Sequence, residues 1–174
     1  MALIINIALL ILLGALSFQD FRYRGISWML LTVAFLLLAG KGLLVMKPVE
    51  LLKILLINSL MLLVQFAVLM LYFRMKGFGF RDFWEKVMGI GDLLFLVAIS
   101  IAFEPVNFIV FVLAGLLLSL LVYGSFSLLK PDRQRTVPLA GLLSVAMLVV
   151  TLFSSINSRF DCYDPHMILK FFAH

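Results

Sequence analysis

Charge is scarce in this chain. Only 13% of its 174 residues are Asp, Glu, Lys or Arg, and 64% are hydrophobic, whereas a soluble domain is about a quarter charged and about half apolar. So few polar side chains cannot cover a water-exposed surface, and a mean hydropathy of +1.19 points to lipid as the solvent. There is one cysteine, Cys162, which excludes an internal disulfide and a cysteine-based zinc site. The two histidines, His166 and His174, stand near Asp161, Cys162 and Asp164 at a spacing that matches no metal-ligand pattern, so neither metal nor cofactor is expected. Their place near the C-terminus also leaves the serines and threonines elsewhere without a histidine to activate them. Phosphate loops and dinucleotide fingerprints are absent.

What is present is a series of long apolar runs. A membrane-spanning helix needs about 20 apolar residues, and the chain divides into six candidates: 2–19, 27–45, 49–73, 92–103, 106–129 and 137–156. The expected fold is therefore all-α, a polytopic membrane helical bundle forming one domain over residues 1–174. The fourth run is too short to cross fully at 1.5 Å per residue, which predicts a short or partly embedded helix. The run 2–18 lacks a basic n-region and a small-x-small cleavage site, so it reads as a retained helix, not a signal peptide.

The formal charge of +5 comes from cations in short connections between apolar runs, which fits topology determinants and lipid headgroup contacts better than a nucleic-acid surface. Arg22, Arg24, Arg74, Lys76, Arg81, Lys86, Lys130, Arg133 and Arg135 fall on one side of the predicted bundle. Lys41, Lys47, Lys53, Arg159 and Lys170 fall on the other. The positive-inside rule then puts the richer side in the cytoplasm and both termini outside it. Residues 72–88 interleave Phe78, Phe80, Phe83 and Trp84 with Arg81, Asp82, Glu85 and Lys86, the pattern of an amphipathic segment lying along the interface. Gly77 and Gly79 would make its start flexible, as a gate requires, although a plain interfacial anchor explains the same pattern.

Of the nine acidic residues, Asp20 and Asp92 adjoin long apolar stretches, where an ionisable group is costly unless it has a function. The charge count places both at the cytoplasmic side. Asp92 closes Gly89-Ile90-Gly91-Asp92, whose glycines allow a sharp bend and close approach of a peptide. Capping of its own helix by Asp92 is the plain structural alternative. Two neighbouring carboxylates can hydrolyse a peptide bond without metal, one as base toward a water and one as acid toward the carbonyl oxygen. Asn58 and Gln65 are polar groups within an apolar run, as a transporter would need, but buried hydrogen bonds between helices explain them more simply.

Three segments carry a resemblance to a known family: Asp20-Phe21-Arg22-Tyr23-Arg24-Gly25-Ile26 after an apolar helix, Gly89-Ile90-Gly91-Asp92 opening a later one, and Thr136-Val137-Pro138-Leu139-Ala140-Gly141 after a basic loop. In this order they resemble the type IV prepilin peptidases of the GxGD aspartyl protease group. The resemblance implies a six-helix core in the bacterial inner membrane with Asp20 and Asp92 as the catalytic pair. The motif-supporting residues would be Gly89, Ile90 and Gly91. It also implies a pilin-like precursor as substrate, cut at the cytoplasmic boundary ahead of its hydrophobic helix. Ser27-Trp28 stands where the family has Pro-Asn, and Leu94 where it commonly has Lys. No cysteine pair is present for the zinc-binding region that accompanies N-methylation, so peptidase activity without methyl transfer is expected. The alternative class is a catalytically silent relative that binds or chaperones membrane helices.

Overall fold

In hydrocarbon every unpaired backbone group costs several kcal/mol, so long apolar runs close their hydrogen bonds internally as helices. The computed structural model describes residues 2–77, 79, 89–129, 138–156 and 162–164. Among them are six helices: α1 (Ala2–Tyr23), α2 (Trp28–Leu43), α3 (Pro48–Met75), α4 (Ile90–Ser100), α5 (Pro105–Leu129) and α6 (Leu139–Ile156). The expected all-α membrane bundle is the architecture found. Leu3–Tyr23, α3, Pro105–Val122 and α6 are long and apolar enough to cross a membrane, and α2 and α4 are shorter apolar helices.

Local sequence sets the ends. Pro48 and Pro105 each open a helix, where a missing N–H costs nothing. The cap residue Lys76 ends α3 and Gly77 follows at φ +86°, the left-handed conformation that glycine takes without penalty after a helix. α4 has only 11 residues, about 16 Å of helix, matching the short fourth element expected. α1 departs from expectation by running on through Asp20 to Tyr23 instead of ending at 19. The Asp20 carboxylate turns to another helix, so nothing interrupts α1 there. The segment 78 and 80–88, expected at the interface, and the basic loop 130–137 lie outside the described residues, as do Asp161, His166 and His174.

Contacts fix the relative directions. Leu38 and Lys41 of α2, Met147 and Thr151 of α6, Ala102 after α4, and Cys162 and Tyr163 line one small cavity. Asp20 and Asp92 both reach the start of α6, so α2 and α4 run parallel to α6 and α1 runs against it. Gly42 at the end of α2 packs on Leu51 near the start of α3, which sends α3 back along α4. Gly115 packs on Leu143, and α5 likewise runs against α6. The helices thus alternate in direction, and one end of the bundle gathers the end of α1 and the starts of α4 and α6.

α6 packs against α1, α5 and α4. Leu9, Leu13 and Leu16 of α1 meet Phe95, Leu96 and Ile99 of α4 and Leu143 and Met147 of α6 in one core. The outside is apolar too: Leu3, Ile11, Leu56, Leu63 and Leu121 are each more than half exposed, a surface suited to lipid and not to water. Polar side chains inside the bundle are spent on backbone. The fully buried Asn58 donates to the carbonyls of Ser100 and Phe103 at 2.7 and 2.8 Å, closing off the end of α4. Asn107 donates to the carbonyls of Cys162 and Asp164, tying residues 162–164 to α5. Asn58 therefore fits the helix-to-helix role expected of it. Gln65 does not: it is exposed and among the described residues has no hydrogen-bond partner, because none of them covers α3 on that side.

Candidate functional site

The first four amides of a helix have no partner within it. At the start of α6 the preceding residues offer little help: Pro138 supplies its carbonyl to the Leu142 amide, but no side chain of its own that accepts. The partners come from two distant helices. The Ala140 amide donates to Oδ1 of Asp92 at 3.0 Å, and the next amide, that of Gly141, donates to Oδ2 of Asp20. Consecutive amide nitrogens lie less than about 4 Å apart, so two acids 72 positions apart in sequence are registered on the two neighbouring amides either side of the Ala140 Cα.

Each acid reaches this point for a local reason. Asp20 sits in the last turns of α1 on the same face as Leu13 and Leu16, which are buried. Its residue is only 5% exposed. Asp92 is the third residue of α4, half-buried, one turn below the exposed Gly89 and Ile90. Gly141 makes the approach of Asp20 possible: a Cβ there would lie 2.9 Å from Oδ2 and 3.2 Å from the Asp20 Cβ. Among the described residues, little stands beside the start of α4. A Cβ on Gly91 would meet nothing within 4 Å, and one on Gly89 would meet the Asp92 carboxylate at 3.5 Å.

The electrostatic setting is spare. Among the described residues neither carboxylate has an ion-pair partner, and Arg22, the nearest cation in sequence to Asp20, lies over the rings of Phe18 and Tyr23 at 5.8 and 5.6 Å. The charge is met instead by backbone amides and by the positive end of the α6 dipole, which favours anions within the first turn. Such a site holds two oxygen acids on neighbouring amides, with one flank uncovered among the described residues, an arrangement suited to proton exchange with a bound water or carbonyl.

No family model, curated protein or solved structure matches this chain.

The bundle brings together the two aspartates singled out by sequence, and it puts Gly89, Ile90 and Gly91 at the open edge beside them. The capping alternative holds beside the pairing: the Asp92 carboxylate accepts from the amide of Gly89, the N-cap of its own helix, as well as from Ala140 at the head of α6. Of the remaining acids, Asp82, Glu85, Asp132 and Asp161 lie outside the described residues. Glu50 and Glu104 bond to backbone amides at the starts of α3 and α5. Ala140 and Gly141 are the members that sequence reading missed as site residues. The signal for them was a helix start after proline with no Ser, Thr, Asp or Asn at its cap, which demands partners from elsewhere.

Proposed function

We propose that this chain is a membrane aspartyl endopeptidase that removes the short leader of pilin-like precursors at the cytoplasmic face of the bacterial inner membrane. The observation that carries the reading is the convergence of Asp20 and Asp92 on the consecutive amides of Ala140 and Gly141. Support also comes from the resemblance of the segments around Asp20, Asp92 and Pro138 to the type IV prepilin peptidases. The pairing of the acids with the end of the bundle that holds Arg22, Arg24, Arg74 and Lys76 agrees with a cytoplasmic placement by the positive-inside rule.

Two acids at this range work as a unit with one proton between them. The ionised member takes a proton from a bound water, whose oxygen attacks the scissile carbonyl carbon. The protonated member donates toward the carbonyl oxygen as the tetrahedral intermediate forms. Collapse breaks the C–N bond, the leaving nitrogen takes up a proton from the pair, and the products are a carboxylic acid and an amine. The α6 amides keep both side chains in place throughout. Precursor leaders are basic and so is this end of the chain, so recognition rests on packing of the substrate helix, not on long-range attraction.

Co-expression with a pilin-like precursor tests the reading. Asp20→Asn and Asp92→Asn retain an oxygen that accepts the α6 amides, so the fold is kept while proton exchange is lost. Processing at the wild-type rate by either folded variant would sink the proposal. The capping geometry gives one specific ground for the second reading, a silent helix-binding relative in which the acids only hold α6. Wild-type protein that captures the precursor without shortening it would establish that instead.

A further inference from the structure

Gln65 is a carboxamide set in an apolar helix, exposed and without a hydrogen-bond partner among the described residues. In hydrocarbon such a group is costly and is ordinarily paired. Its position along the bundle gives it a purpose. Asn58 of α3 is pinned to the carbonyl of Ser100 in α4, and the two helices run in opposite directions. Gln65 lies seven residues from that pin and Asp92 eight, about 10.5 and 12 Å along their axes. The carboxamide and the acid are therefore at nearly the same depth.

The inner stripe of α3 changes at this level. Leu51, Asn58 and Leu62 are buried, and Gln65 follows Leu62 by three residues, about 60° round the helix from it. Beyond Leu62 the stripe opens: Leu69 is 37% exposed and Tyr72 50%. α3 then continues to Met75, past the level at which α4 begins. Among the described residues, the part of this face that carries Gln65, Leu69 and Tyr72 is thus uncovered at the end that holds Asp92, beside Phe66, which is partly buried against the core. Gly89 and Ile90 are exposed there as well.

Resting on the endopeptidase reading, we infer that Gln65 is a positioning residue for the backbone of the precursor's membrane helix where it unwinds for cleavage. A peptide bond inside a helix is closed to attack until its turn opens, and opening frees N–H and C=O groups that hydrocarbon cannot satisfy. A glutamine carboxamide has two donors and one acceptor oxygen, so one side chain can pair with both a freed carbonyl and a freed amide. Leu69 and Tyr72 supply the apolar bed for the adjoining helical part.

A synthetic precursor peptide with a basic leader and an apolar helix, in proteoliposomes, provides the test. Gln65→Leu is expected to lower kcat about tenfold or more with little change in KM, since the bonds form only as the helix opens. Gln65→Asn should recover part of the loss. In the Asp92→Asn background, a benzoylphenylalanine at Leu69 is expected to crosslink the peptide near its leader boundary, and one at Leu36 of α2 is not. Wild-type turnover by Gln65→Leu, or capture at position 69 of only lipid or a second copy of the chain, would overturn the inference. If the unaltered protein cleaves nothing, the endopeptidase reading falls by itself. The crosslink then decides whether this face still receives a membrane helix, and its absence rejects that too.

Discussion

The Gly141 amide donates to the carboxylate of Asp20 across 121 positions of sequence, and the absence of a side chain on Gly141 is what lets the acid come so close. Because a Cβ would meet Oδ2 at 2.9 Å, the contact is set by sterics as much as by hydrogen bonding.

Gly141→Ala should therefore push Asp20 from its amide and cost about 1 to 3 kcal/mol, as overpacking of a tight site does, together with most of the processing activity. Gly40→Ala in α2 is the contrasting case, since its added Cβ meets nothing within 4 Å. It should be neutral or stabilise by up to about 1 kcal/mol. Thermal unfolding in detergent, alongside a processing assay, separates the two.

Asn at either acid keeps an acceptor for α6, so Asp20→Asn and Asp92→Asn should unfold within about 1 kcal/mol of wild type while losing processing. Asp20→Leu removes the acceptor and leaves the Gly141 amide buried and unpaired, a loss of about 1 to 3 kcal/mol. If the Asn variants were as unstable as the Leu variant, the hydrogen bonds would not be what holds this end of α6.

Asn58→Leu strips hydrogen bonds from the carbonyls of Ser100 and Phe103 at once. We expect destabilisation of about 2 kcal/mol or more, and reduced processing because α4 carries Asp92. Gln65→Leu, with no bond to lose in the free protein, should stay within about 0.5 kcal/mol. Equal unfolding temperatures for the two would contradict the burial of Asn58.

Sidedness is open to labelling. With the native thiol removed by Cys162→Ser, Arg22→Cys should react with an impermeant maleimide only after the cytoplasmic side is exposed, and Lys47→Cys should react from outside. Both positions are exposed. The reverse pattern would invert the proposed orientation.

Much of the fold was legible because lipid imposes a coarse rule: long apolar runs become helices, and the shortness of the run after Asp92 announced a short α4. The gathering of Asp20 and Asp92 at one end followed from alternating direction alone. The partners of those acids were hidden, since a backbone amide leaves no letter in the sequence, and only the uncapped start after Pro138 hinted at the need. Gln65 and Asn58 show the other limit. They are nearly identical in chemistry and two turns apart on one helix, yet one is fully buried and one exposed. What separates them is how far α3 stays covered, which depends on neighbours in space and not on residues nearby in the chain. The end of α1 was misplaced for a similar reason: an acid normally marks a helix boundary, but this one is used by α6.

The registration of two acids on neighbouring amides also bears on how the protein meets membranes of different thickness. Helices answer mismatch by tilting, which carries side chains on separate helices by unequal amounts. Here the interval is gauged against two successive amides of one helix, whose spacing is set by covalent bond lengths and the helical ψ between them. α1 and α4 can lean with the bilayer while the reacting groups keep their spacing, so long as both stay latched to the head of α6.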